Sequence, residues 1–217
     1  ELVFCELYAG GKYGGDGDNY EYSLGLNGLG SCATQYASEY FDASVWRDGF
    51  KYTLTLKREK MWAACTRSPQ TGEKDGLHLP LEARSGVFTD IDIPVDYYTD
   101  VMKRQAVVNA GVTFRFREET SAGRFSTTDF RYDNGILDYV TELAGEEPLT
   151  QPVFWQTERK GRDRADKPEY KVRLSVSFCF SNRVSVVEHY HNSSWLEHGG
   201  SPEKAMKSAF VSAWTPI

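Results

Sequence analysis

The sequence predicts a mixed α+β protein in two pieces, and three observations predict it. Alternation of apolar and polar residues, the period of a half-buried strand, runs through 41–45, 50–56, 112–117 and 170–180. Between these runs, apolar residues take helical spacing over 94–108, 136–143 and from Ser201 onward. A turn cluster, Asp133-Asn134-Gly135, follows Tyr132 and separates residues 1–131 from 132–217.

Taken in order, Glu1 to Tyr8 reads as the last turns of a helix with Leu2, Val3, Cys5 and Leu7 facing inward. A glycine-dense stretch from Ala9 to Asp18 offers few side chains to bury, and a second glycine cluster, Gly25 to Gly30, runs into a helix from Ser31 to Ala37. Asp48-Gly49 between two alternating runs is a hairpin signal. Residues 66–85 are polar and carry no clear period. The helix over 94–108 stops at Asn109-Ala110-Gly111, and Ser121-Ala122-Gly123 turns the next strand back along 125–130. A short helix carries Ile136, Val140 and Leu143. The long run from Tyr170 to Phe180, with Lys171, Arg173, Ser175 and Ser177 on its other face, is expected to pair with 184–190 across Ser181-Asn182-Arg183. Ser201 reads as the N-cap of the last helix, with Pro202 at its first position and Glu203 in its first turn.

The chain has 217 residues, 40% of them hydrophobic, enough for one large domain or two small ones with a real core. No apolar run approaches the roughly 18 residues needed to cross a bilayer, which excludes a helical membrane span. The start Glu1-Leu2-Val3-Phe4 has no initiator Met and no signal-like segment, and reads as the opening of a piece of something larger. Net charge is −6; residues 1–131 hold 15 basic and 19 acidic side chains, residues 132–217 hold 10 and 12. Neither half is a basic module, so contact with nucleic acid requires a local patch. Cys5, Cys32, Cys65 and Cys179 show no metal-type spacing and read as reduced thiols of a cytoplasmic protein.

The chemistry-bearing signal is Gly25-Leu26-Asn27-Gly28-Leu29-Gly30 opening a helix. Glycines let the backbone approach a ligand, and a helix start presents unpaired N–H donors with partial positive charge, together a nest for a polyphosphate. By itself the pattern also fits a plain turn before a helix. Upstream, Lys12 follows a glycine pair, and a loop of about a dozen residues joins it to the motif, the layout of a lid over a nucleotide. Other constellations are weaker. His189, His191 and His198 lack a further ligand at metal spacing. Glu146-Glu147 reads as a solvated helix end, and Asn192-Ser193-Ser194 fits a glycosylation sequon without any sign of secretion. Arg159, Lys160, Arg162 and Arg164 form the densest basic run, either a solvated hairpin tip or a phosphate contact.

"LYAGGKY" followed by "YEYSLGLNGLGSCATQYASEY" resembles the ATP lid and phosphate loop of the gyrase B-type ATPase subunits of bacterial type IIA topoisomerases, within the GHKL superfamily. The family pattern there is A-G-G-K-F, then S-G-G-L-H-G-V-G; Leu24 stands for a glycine and Asn27 for the histidine. "VFTDIDIP" (87–94) resembles the end of that ATPase domain, "YDNGILDYV" (132–140) the start of its transducer domain, and "YHNSSWLEHGGSPEKAMKSAF" (190–210) the transducer's G-G-T-H segment, with Ser201 and Pro202 in place of Thr and His. The resemblance implies a partial GHKL (Bergerat) two-layer sandwich over 1–131 and a partial transducer with a left-handed βαβ element over 132–217. It implies ATP as ligand, with Lys12 beside the terminal phosphates, Tyr20 near the adenine, and Gly25, Leu26, Asn27, Gly28, Leu29 and Gly30 around the triphosphate. It places the family's general base, its Mg²⁺-holding Asn and its adenine-reading Asp before Glu1, and a γ-phosphate-binding Lys after Ile217, so the chain alone is expected to be inactive and to bind no nucleotide tightly. The family's Gly-Thr near the adenine falls on Gly76-Leu77. The implied partners are DNA, the DNA-cleaving A-type subunit and a second copy of the ATPase subunit, joined on ATP binding, with no membrane. A truncated or degenerate homologue acting as a non-catalytic interaction module is the alternative.

Overall fold

The computed structural model describes residues 2–7, 29–57, 60–70, 72, 74–162, 164–166 and 169–215. Contacts divide the chain into two units, Glu1–Ile93 and Pro94–Ile217. Tyr132, where the sequence changes character, lies inside the second of these, packed with Ala106 and Val107 in its core.

In the first unit, α1 (Leu2–Cys5) and α2 (Gly30–Tyr36) accompany β1 (Ser38–Arg47), β2 (Phe50–Lys57), β3 (Lys60–Pro69), β4 (Gly76–His78) and β5 (Leu81–Ala83). The sheet is antiparallel in the order β3-β2-β1-β4, with β5 also on β1. Asp48 (φ 54°) and Gly49 (φ 75°) both take left-handed backbone, the primed turn that matches strand twist and sets Arg47 opposite Phe50. That register places Phe41, Ala43, Leu54 and Leu56 on one face as the core, with Phe4 and Cys5 packed against them. The Phe4 and Phe41 rings lie 5.1 Å apart. Each large side chain in such a core contributes about 1.5–3 kcal/mol. Residues 66–85, which show no period, contain the end of β3 and the two exposed short strands. Exposure on both faces removes the alternation that would have marked them.

The second unit runs α3 (Val95–Val108), β6 (Phe114–Ser121), β7 (Arg124–Phe130), α4 (Ile136–Ala144), β8 (Val153–Gly161), β9 (Tyr170–Phe178), β10 (Tyr190–His191), β11 (Ser194–Trp195) and α5 (Ser201–Trp214). Its core is Ala106, Val107 and Tyr132, with Val108, Phe114, Phe130, Ile136 and Tyr139 around them. The Tyr132 carbonyl accepts from Gly111 N–H (2.9 Å) and Gly135 N–H (3.2 Å), closing the β6–β7 hairpin onto the end of α3 and the start of α4.

Two local expectations are corrected. The strand from Tyr170 pairs with β8, from Val153↔Phe178 to Gly161↔Tyr170, and not with 184–190. An unbroken nine-residue register satisfies more backbone groups than a short return could. The Leu149 N–H then donates to the Phe180 carbonyl (2.8 Å) and Phe180 N–H to Thr150 Oγ1 (3.0 Å), which occupies the end of the ladder. Ser201 is not the cap but the first residue of α5; Gly200 (φ 117°) holds the N-cap position. Glu203, three residues on, accepts the Gly200 N–H, the returning half of a capping box. Every strand pair among the described residues is antiparallel. No helix among them is long and apolar enough to cross a membrane.

Candidate functional site

The glycine motif enters the described structure at its last two residues, Leu29 and Gly30, which lead into α2. Lys12, Tyr20, Gly25, Leu26, Asn27 and Gly28 lie outside the described residues. Leu29 sits at the N-cap, and no side chain caps the helix. Its carbonyl accepts the first helical bond, from Ala33 N–H at 2.8 Å. Donors of the first turn therefore face the incoming chain with the positive end of the helix behind them. A Cβ built on Gly30 meets no described atom within 4 Å. The helix is anchored from below by Cys32, which is fully buried, and by Tyr36, whose hydroxyl donates to the Cys5 carbonyl at 3.5 Å. Ser38 Oγ, at the start of β1, donates to the Thr34 carbonyl (2.7 Å) and fixes the angle between helix and strand. This geometry fits a phosphate group. Leu77, where the resemblance puts a hydroxyl near the adenine, lies opposite Val45 on β4 and is 60% exposed.

The basic run sits at the turn end of the β8–β9 hairpin. Arg162 reaches Glu169 (3.1 Å), and Lys160 lies 4.0 Å from the same carboxylate. Arg159 donates to the neighbouring Glu158 carbonyl (3.2 Å), and Arg162 also donates to the Ala165 carbonyl (3.4 Å). Arg164 is exposed on the connecting turn. Over residues 158–169 the sequence sets five basic side chains, Lys167 included, against four acidic ones, so the tip is close to neutral in an acidic chain. Arg173 and Glu158 pair across the same face at 3.6 Å.

Neither the histidines nor the acidic pair forms a metal site: among the described residues, no three His, Cys, Asp or Glu side chains converge to hold a metal ion. The two described residues of the glycine motif, Leu29 and Gly30, offer backbone N–H groups and no side-chain oxygen. Glu147 instead pairs with Arg183 at 2.5 Å. Asn192 (φ 52°) turns the β10–β11 hairpin, and none of the four cysteines is in a disulfide.

One constellation was not foreseen in the sequence. Glu142 on α4 accepts from Tyr132 (2.7 Å) and from Lys103 on α3 (2.7 Å). Glu188 accepts from Tyr139 (3.4 Å) and Tyr190 (2.7 Å). The Tyr132 and Tyr139 rings meet edge to face at 5.8 Å and join the two groups. Burial, then the Glu188 charge, pushes the Tyr139 hydroxyl up to about 12. Tyr132 and Tyr190 are driven up further, first by burial and then by their carboxylate partners. Burial raises Glu142, but its hydrogen bonds from Lys103 and Tyr132 together outweigh that and hold it below the ordinary value. The i, i+3 spacing of Tyr139 and Glu142 was visible in the sequence; nothing local connected them to Lys103 or to residues 188–195.

No family model matches the chain. The DNA gyrase B subunit of Synechocystis sp. is 26% identical over 214 residues, covering 97% of this chain and 19% of the relative. The DNA topoisomerase 4 B subunit of Streptococcus pneumoniae is 25% identical over 213 residues, covering 97% of this chain and 31% of the relative. The chain is thus similar in sequence to the B subunits of DNA gyrase and DNA topoisomerase 4. The similarity to these B subunits runs through both units, and the chain spans about a fifth to a third of the length of the relatives compared. Among solved structures, the B-subunit of the DNA gyrase from Myxococcus xanthus matches with a TM-score of 0.60 at 15% identity, over 82% of this chain and 49% of that one. At that identity the match speaks for the fold, a mixed α+β architecture shared with a gyrase B-subunit.

Proposed function

We propose that this chain is part of the ATPase subunit of a type IIA DNA topoisomerase, and that the polypeptide carrying it binds and hydrolyses ATP to drive DNA strand passage. The carrying observation is the sequence similarity to gyrase and topoisomerase 4 B subunits over 97% of the chain, together with the start of α2 at Leu29-Gly30, which no side chain caps. In this reading Gly25, Leu26, Asn27, Gly28, Leu29 and Gly30 surround the triphosphate, Lys12 reaches the terminal phosphates and Tyr20 lies by the adenine. Backbone donors and one cation act on charge, so they favour a closed state only through contacts the open state lacks. Residues 1–131 are then part of the GHKL ATPase domain and 132–217 part of the transducer with its left-handed βαβ element. Arg159, Lys160, Arg162 and Arg164 offer phosphate contacts to passing DNA, and an A-type subunit and a second ATPase subunit complete the assembly. No residue of the chain is assigned as general base or Mg²⁺ ligand; the metal, when bound, neutralises charge on the phosphates.

The test is calorimetric titration with a non-hydrolysable ATP analogue and Mg²⁺. The chain alone should give a flat trace. Fused behind the preceding ATPase segment of a gyrase B-type protein, it should bind saturably, and Lys12→Ala should weaken that binding. A folded fusion that takes up no nucleotide sinks the proposal. It would favour a non-catalytic interaction module, the reading to which the exposed, apolar Leu77 already points.

A further inference from the structure

Between β9 and α5 the chain runs through residues 179–200 with only the two-residue strands β10 and β11. Within it, residues 188–190 and 193–196 are half-buried, while 185–187 and 197–198 on either side are exposed. Side chains hold the half-buried stretch. Glu188 takes one hydroxyl from its own segment, Tyr190, and one from α4, Tyr139. Gln105 of α3 donates to the Ser193 carbonyl (2.8 Å), and the Arg104 guanidinium lies 3.7 Å from the centre of the Trp195 ring. Backbone bonds carry the stretch onward: Leu196 N–H to the His189 carbonyl (2.8 Å), Gly199 N–H to Leu196 (3.1 Å), Lys204 N–H to Gly200 (3.1 Å). Glu203 pairs with Lys207 of its own helix (2.6 Å). The helix that follows buries no residue. Its half-buried residues are Pro202, Glu203, Met206 and Phe210, and its rings meet the strand side at Phe178–Phe210 (5.5 Å) and Phe180–Trp214 (6.3 Å).

We propose that residues 188–196 form an arm that opens from the α3–α4 face, with Glu188 as its latch, while α5 stays on the strand side through Phe210 and Trp214. The core of the second unit, Ala106, Val107 and Tyr132, belongs to α3 and the turn before α4 and contains no residue of the arm. Opening therefore breaks side-chain contacts of half-buried groups and leaves the packed centre in place, the condition for a low-energy sub-global opening. Glu188 is the residue whose loss costs most, because its carboxylate gathers donors from both sides of the joint and is charged. Gly199 (φ 71°) and Gly200 (φ 117°) supply the bend that joins strap to helix. In a chain that relays nucleotide state, this arm is the part of the unit able to change position without unfolding; that use rests on the function proposed above, whereas the latch rests on the contacts alone.

Hydrogen exchange read by mass spectrometry on the whole chain tests it. Glu188→Ala should speed exchange about tenfold through 188–196, the size expected for losing hydrogen bonds to a partly buried charge. Rates in α3, α5 and β6–β7 should stay as they were. Glu188→Gln keeps one acceptor and should fall between, and Tyr139→Phe should give part of the effect. Equal acceleration in α3 or in α5, or no acceleration at all, overturns the latch. Absence of nucleotide binding in the titration above would remove the proposed function and leave this exchange pattern standing.

Discussion

Replacing Gly135 by alanine separates two costs that the structure assigns to one glycine. Gly135 lies at φ 58° and ψ −124°, between Tyr132 and α4, in a region that L side chains rarely adopt. Holding alanine there costs about 1–3 kcal/mol. A Cβ would in addition stand 3.1 Å from the Val107 carbonyl oxygen and 3.3 Å from the Ala110 Cβ. Val107 is 1% exposed at the end of α3, so its backbone has nowhere to retreat; overpacking of this kind adds about 1–2 kcal/mol. Gly145, which follows α4 at φ 68° and ψ −154°, supplies the control, because a Cβ there meets no described atom within 4 Å. Gly145→Ala should therefore cost the backbone component alone, about 2 kcal/mol, and Gly135→Ala about 3 kcal/mol. Native-state exchange of the most protected α3 amides reads the difference: at 1.4 kcal/mol per decade, Gly135→Ala should accelerate them roughly a hundredfold and Gly145→Ala several-fold less. Equal effects from the two substitutions would refute the packing component. A Gly135→Ala protein within a few-fold of the parent would refute both.

Two further outcomes follow from the same packing. The Tyr139 hydroxyl titrates higher in the folded protein, about 12, than its ordinary 10.0, so the unfolded chain loses that proton first. Its contribution to stability is thus complete below about pH 10 and lost as pH rises toward about 12, and the urea midpoint of the second unit should fall across that window. Tyr139→Phe should flatten the fall; a midpoint that climbs through the window contradicts the assignment. Cys65 is exposed and Cys32 fully buried, so a thiol reagent should label Cys65 in the native protein and reach Cys32 only on unfolding. Mapping the labelled peptides checks this, and early modification of Cys32 would show that α2 is not seated on the core as described.

Elements written in local chemistry were legible from the sequence. Asp48-Gly49 carries the left-handed turn, so the β1–β2 hairpin and its register could be read from neighbouring residues. The same holds for Gly123 (φ 74°) between β6 and β7, for Gly111 (φ 79°) after α3, and for the helix that starts at Gly30. The start of that helix directly after the glycine cluster was legible because both signals lie within a few residues of each other. Strand β9 shows where this ends. Both 153–161 and 184–190 offered it apolar faces, and the choice went to the longer register, a comparison between distant segments that neither segment encodes. Tyr132 reads as a boundary in the sequence, yet in the structure it is core, because its neighbours Ala106 and Val107 lie on another element. Glu142 and Glu188 looked like surface carboxylates, yet each collects hydroxyls that only the packing of α3, α4 and residues 188–195 brings within reach. By itself the sequence determined the turns, the periods and the helix starts, because backbone sterics act over a few residues. The tertiary structure alone decided strand partners and polar networks, because those depend on which distant surfaces exclude water together.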